Sequence, residues 1–423
     1  MDAGDDAVMT AAPVAAPSRG AGVARDATAS RAPAGARGRP ALVLPALVAL
    51  VAGLWAGLVR VGWGLPPLAG SLATAHGPLM VGGFLGTAVT LERAVALVAG
   101  LDRAGGAEAA TRSGRRPLPA VALGRRAALV FPALTGLGAL GLVAGLGGPW
   151  APLLLAAGSG GLVGMSVTIA RRQPALHHVT LALGALAWLV GNALWLAGWP
   201  VFRVVPWWAA FLVLTIAGER LELSRVLLPP RGARVAFAAL AAALVAGVAL
   251  TAVAPAAGDA LAGAALVATA GWLLRWDVAR RTVRQRGLTR FIAAAMLSGY
   301  VWLGVAGALF VREAGSLVAG PAYDAALHAL FLGFVFSMIF GHAPIILPAV
   351  ARVTVRFGRS FYAHLALLHV SLALRLGGDL VGSGPARRWG ALLNAAAILL
   401  FVATTARSAG RRASPVPSHR RDA

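Results

Sequence analysis

Long runs of apolar residues, each closed by polar or turn-forming residues, alternate along almost the whole chain. A helix needs about 20 predominantly apolar residues to cross the hydrocarbon core of a bilayer. Runs of that kind fall at 41–60, 70–91, 126–146, 150–170, 176–198, 204–220, 234–254, 258–275, 289–311, 322–344, 360–377 and 389–406. The pattern predicts an all-α fold, a polytopic transmembrane helical bundle of about 12 spans filling residues 41–407. The third and fourth runs are joined through LGGPWAP and the seventh and eighth through APAAGD, tight Gly/Pro turns that suit antiparallel helical hairpins.

Three stretches lack the apolar pattern. Residues 1–40 and 408–423 are rich in Ala, Pro, Arg and Ser without periodicity, which predicts disordered cytoplasmic tails. No cleavable hydrophobic region precedes the first span. The segment 92–125, rich in Arg, Gly and Ala, is expected to be a flexible cytoplasmic loop beside anionic headgroups.

Composition sharpens this picture. With 58% hydrophobic residues, 13% charged residues and a mean hydropathy of +0.76, the expected partner of most of the surface is a lipid bilayer. The net charge of +23 carries no compact basic domain and no base-reading motif, so nucleic acid is excluded as a partner. The charge is topological instead. With the N-terminus inside, only Arg60, Arg203, Arg312, Arg375, Arg387 and Arg388 fall in outward segments, and every other Arg falls in inward ones. The positive-inside rule then predicts a multi-pass protein of the bacterial cytoplasmic (inner) membrane with both termini cytoplasmic. There is no Cys, which removes disulfides, thiolate ligands and covalent haem attachment.

The polar residues inside the spans are mostly histidines, and ionisable groups in a membrane are costly enough to suggest function. His76 and His328 fall in the outer half. His342, His178, His364 and His369 fall nearer the inner face, with His177 beside them. His328 and His342 are 14 residues apart on one span, which is nearly four helical turns and about 21 Å of rise on one face. That spacing could hang two stacked haems if facing helices supply second ligands: His76 or Met80 at one level, His178 or His364 at the other. A copper site could use Met80 or Met338 as soft ligands beside His76, His328 and His342. Gly82, Gly83, Gly86, Gly333 and Gly341 remove bulk beside them, leaving room for a flat macrocycle or for another helix. The doublets Glu92–Arg93 and Glu219–Arg220 at inner helix ends read as interfacial anchors, as inter-helix salt bridges or as a contact to a haem propionate.

Two stretches, HGPLMVGGFLGTAVTLERAVAL at 76–97 and LHALFLGFVFSMIFGHAPIILPAV at 327–350, followed by HLALLHVSLALRL, resemble the NnrS family and, more remotely, haem–copper oxidase subunit I. The NnrS proteins are twelve-span bacterial membrane proteins associated with haem, copper and the handling of nitric oxide. The resemblance implies haem b and/or copper as cofactor, a small gas as ligand, and His76, Gly83, Phe84, His328, Gly333, Met338, Gly341 and His342 as the matching positions. The chain departs from the family where Gly77 replaces the Glu after the first His, where Leu91-Glu92-Arg93 replaces Asn-Trp, and where GHAPI at 341–345 replaces GHTGR. The alternative reading is a secondary transporter or permease without a redox cofactor, which shares the twelve-span layout. A structural or assembly factor is a third.

Overall fold

Each of the twelve apolar runs is covered by a helix over most of its length. A computed structural model of the chain describes residues 39–66, 72–111, 119–350 and 353–411. Of the tails expected over 1–40 and 408–423, residues 1–38 and 412–423 lie outside the described residues. In chain order the long helices are α1 (Arg39–Arg60), α2 (His76–Pro78, Leu79–Gly86 and Thr87–Thr111 in continuous succession), α3 (Pro119–Val143), α4 (Trp150–Arg172), α5 (Leu176–Leu196) and α6 (Val201–Ser224). They continue with α7 (Arg231–Leu250), α8 (Pro255–Trp276), α9 (Gly287–Arg312), α10 (Pro321–His328, Ala329–Phe336 and Ser337–Val350 in continuous succession), α11 (Phe361–Leu380) and α12 (Gly384–Ser408).

Ten helices among the described residues are long and apolar enough to cross a membrane. The other two are α3, whose described apolar part is Ala127–Val143, and α11, where His364, His369, Arg375 and Asp379 lower the hydropathy. The helix starts follow local chemistry. Pro255, Pro321 and Pro385 stand in the first turns of α8, α10 and α12, where a missing N–H costs nothing. Gly320, with φ of 91°, turns the chain into α10.

Two expectations are corrected. Helix α2 runs on to Thr111 and α3 begins at Pro119, so most of the segment expected as a loop at 92–125 is helical, and only 112–118 lie outside the described residues. The reason is composition: Ala, the strongest helix former, recurs at 94, 96, 99, 104, 107, 109 and 110, and outweighs the scattered Gly. The first residues of the expected C-terminal tail are structured as well. Ala409–Arg411 forms a short strand, β2, antiparallel to β1 (Val353–Val355), with Val353 opposite Arg411 and Val355 opposite Ala409. The β-branched run Val353-Thr354-Val355 favours that geometry.

Small residues set the helix crossings. At the α8–α9 crossing, a Cβ on Gly263 would stand 2.7 Å from the Gly307 carbonyl oxygen, and one on Gly307 would stand 2.6 Å from that of Gly263. The two backbones therefore touch with no side chain between them, the packing that small residues permit. Helices α2 and α10 contribute to both polar clusters described below, joined by α11 and α12 in one and by α6 and α9 in the other.

Candidate functional site

His76 opens α2 and His328 closes the first segment of α10, and each is followed by eight residues of wide π turns, Leu79–Gly86 and Ala329–Phe336. Such turns inside α-helices change the angle at which neighbouring side chains project and recur at functional sites. Here they bring the two imidazoles near each other across the helix pair, with ring centroids 6.2 Å apart and planes inclined by 23°. Two turns further along, Phe84 and Phe336 pair in the same way, at 6.0 Å.

The hydrogen bonds define the tautomers. His76 Nδ1 lies 2.8 Å from the Gly53 carbonyl of α1, and His328 Nδ1 lies 2.8 Å from the Asp324 carbonyl one turn earlier. A carbonyl only accepts, so in both rings Nδ1 carries the proton and Nε2 carries the lone pair. Asp324 Oδ1 stands 3.3 Å from His328 Nδ1 and reinforces the second case. Neither Nε2 forms a hydrogen bond with any described residue. An imidazole whose Nδ1–H is anchored by a carbonyl or carboxylate, leaving Nε2 open, is oriented as metal-ligating histidines are.

Both rings line a cavity of about 110 Å³ between α1, α2, α6, α10, α11 and α12. Its walls are apolar, with Leu54, Leu85, Phe331, Phe336 and Ile398 among them, and its polar side chains are His76, His328, Arg375 and Asn394. Met80, one turn from His76, lines it too and lies over Gly53. Among the described residues no three His, Asp or Glu side chains gather as a ready-made ligand set, so the thioether is the third donor at hand.

Behind the histidines lies a network of charges. Arg375 Nε and Nη2 donate to Asp324 at 2.9 and 3.0 Å, a bidentate pair from α11 to α10. Arg387 Nε stands 3.0 Å from Asp379, and its Nη2 stands 3.8 Å from Asp324. The sequence pattern places Arg375 in an outward-facing flank. It lies instead inside α11, only 7% exposed, because the planar fork to Asp324 compensates its burial.

The second cluster lies where α2, α6 and α10 converge at their other ends. Arg220 of α6 forks onto Asp277 at 2.6 and 2.7 Å, Tyr300 donates to the same carboxylate at 3.0 Å, and Arg220 Nη1 stands 3.4 Å from His342 Nε2. Arg93 of α2 pairs with Glu219 of α6 at 2.8 Å. The two Glu-Arg doublets are thus inter-helix ties.

The remaining histidines do not gather around His342. His342 Nδ1 is held by the Met338 carbonyl, and its ring faces Arg220. His178 packs on His177 and bonds the Gln173 carbonyl. His364 is enclosed by Phe291, Phe340, Phe361 and Phe401. His369 accepts from Trp302 Nε1 at 3.0 Å. Met338 packs its methyl toward Gly299 of α9.

The space beside the glycines is taken by protein. Trp188 covers Gly86, Leu155 covers Gly82, Ala49 and Ala139 cover Gly83, Trp302 covers Gly333, and Met296 covers Gly341. Pockets that enclose cofactor-sized ligands measure about 300–1,000 Å³, well above the 110 Å³ between the histidines. Two imidazoles that shared one metal at about 2.0–2.1 Å from each nitrogen would have ring centres roughly 6 Å apart, and the centroids here are 6.2 Å apart; His76 Nε2, His328 Nε2 and the Met80 thioether are the donors that would hold such an ion.

A helical bundle with a histidine pair at its heart, and with ten helices compatible with a multi-pass membrane protein, is the class that the fold defines. The chain belongs to the family described as Domain of unknown function (DUF8744), whose model matches residues 39–410. No curated protein matches it.

Reasoning from the sequence missed Asp324, Arg375 and Asn394. Two signals pointed to the first two: an Asp one turn before His328 in a chain with only 15 acidic residues, and an Arg inside the apolar run LALRLGG. Asn394 has no such signal, since it stands at the cavity only through the packing of α12.

Proposed function

We propose that this protein spans the bacterial cytoplasmic membrane twelve times with both termini cytoplasmic, and that His76 and His328, with Met80, hold a copper ion that handles a small gas such as nitric oxide. The observation that carries the reading is the matched pair of imidazoles, each with Nδ1 anchored and Nε2 open, facing a small apolar cavity. Imidazole and thioether are donors that suit copper. The resemblance to NnrS proteins supports the same assignment, and the cavity volume favours copper over haem b.

Copper bound there would supply one-electron redox chemistry and an open position for a diatomic ligand. The chain's own part is to orient and to exclude. Gly53 and Asp324 fix the two rings, so little order remains to be imposed on binding. Leu85, Phe331, Phe336 and Ile398 keep the cavity apolar, which suits an uncharged gas and disfavours bulk water.

The test is metal analysis and electron paramagnetic resonance of the detergent-purified protein after copper loading. The expected result is a stoichiometric copper signal with nitrogen hyperfine structure, lost in both His76→Ala and His328→Ala while His342→Ala retains it. A Soret band would replace copper by haem. A folded, metal-free protein would move the transporter reading to first place.

A further inference from the structure

The charges around the cavity are matched before any ion enters: Arg375 and Arg387 face Asp324 and Asp379. Cupric copper on two neutral imidazoles and a thioether would then add positive charge within apolar walls with no protein carboxylate left to offset it. A buried charge without a partner is costly, so an anion must enter with the ion. One donor is placed to meet it. The Arg375 side chain is 8% exposed and lines the cavity. Its Nε and Nη2 are committed to Asp324, and Nη1 makes no hydrogen bond to any described residue.

We infer that the cavity is also an anion site, in which Arg375 Nη1 donates to a small inorganic anion held beside the copper. The size of the cavity limits the guest to a few atoms. The bidentate fork to Asp324 fixes the guanidinium plane, so Nη1 is presented without loss of side-chain freedom. The inference rests on the copper reading, and Arg375 acts on the metal's ligand without touching the metal.

Azide titration of the copper(II)-loaded, detergent-purified full chain tests it, read as an azide-to-copper charge-transfer band, with copper stoichiometry and thermal unfolding followed on the same samples. Arg375→Lys keeps the charge near Asp324 and gives up the fork. The paired variant Arg375→Gln/Asp324→Asn removes both charges and leaves no lone carboxylate. In Arg375→Lys copper content is expected to hold; in the paired variant, which also alters the Asp324 side chain beside His328 Nδ1, azide affinity is read per bound copper. In both, the azide dissociation constant is expected to rise about tenfold or more, the size of one charge-assisted hydrogen bond. Unchanged azide affinity in the two variants would overturn the anion site and leave the copper site standing. Loss of copper in both variants, with the wild type loaded, would assign Arg375 to structure alone and overturn the inference too. A wild type that takes up no copper would overturn both readings, and metal analysis distinguishes that failure from the others.

Discussion

Arg220→Met is expected to destabilise the bundle by about 3–5 kcal/mol, the range for removing one partner of a buried ion pair. Arg220 and Asp277 have side chains that are 4% and 0% exposed, and the guanidinium forks onto the carboxylate through two bonds. Without Arg220, the Asp277 carboxylate keeps only the Tyr300 hydroxyl and the Ala279 backbone N–H as donors. Its charge then stands uncompensated among α6, α8, α9 and α10. The paired variant Arg220→Met/Asp277→Leu removes both charges and is expected to lie closer to the wild type than Arg220→Met alone. Denaturant titration of the three proteins in the same detergent decides it. If the single variant is as stable as the wild type, the pair does not hold the helices together.

Gly263→Ala is the second large effect. A single added methyl there would press on the Gly307 carbonyl at 2.7 Å and the Val311 backbone nitrogen at 2.8 Å, and no side chain can move aside to relieve it. The helices must separate, at about 1–3 kcal/mol for overpacking. Gly271 is the control on the same helix α8, since a Cβ there meets nothing within 4 Å. Gly271→Ala is expected to be neutral or stabilising by up to about 1 kcal/mol, because Ala is the better helix former. Equal stability of the two variants in thermal unfolding would show that the α8–α9 crossing tolerates separation.

How much of the candidate site was legible depends on the distance over which its parts act. The likeness between His76 and His328 is local: each is followed by a Gly-Phe stretch on an apolar helix, and both histidines and their neighbours can be picked out of the chain. The wide turns behind them are less so, since a π turn leaves little trace in a run such as ALFLGFVF. The remaining histidines show the limit. The apolar pattern groups His178, His364 and His369 together, yet one binds a loop carbonyl, one lies among phenylalanines and one bonds a tryptophan. Depth along a helix follows from counting residues, whereas rotation about its axis follows from the neighbours.

The glycines make the same point. Their positions on α2 and α10 were evident, and they were compatible with a macrocycle or with helix packing. Trp188, Trp302 and Met296, contributed by other helices, decide for packing at Gly86, Gly333 and Gly341.

The sequence by itself determined the all-α class, the position of twelve apolar helices and the residue types available for chemistry, because hydrophobic runs and turn residues act over a few neighbours along the chain. It understated α2 and α3, where alanine-rich helix continues past the apolar stretch, for lack of a periodic signal in a segment that is helical by propensity. Only the tertiary structure decided that His76 meets His328, that Asp324 and Arg375 stand behind them, and that Arg220 joins four helices, since those contacts join residues separated by 51 to 252 positions along the chain and depend on how each helix is turned against the next.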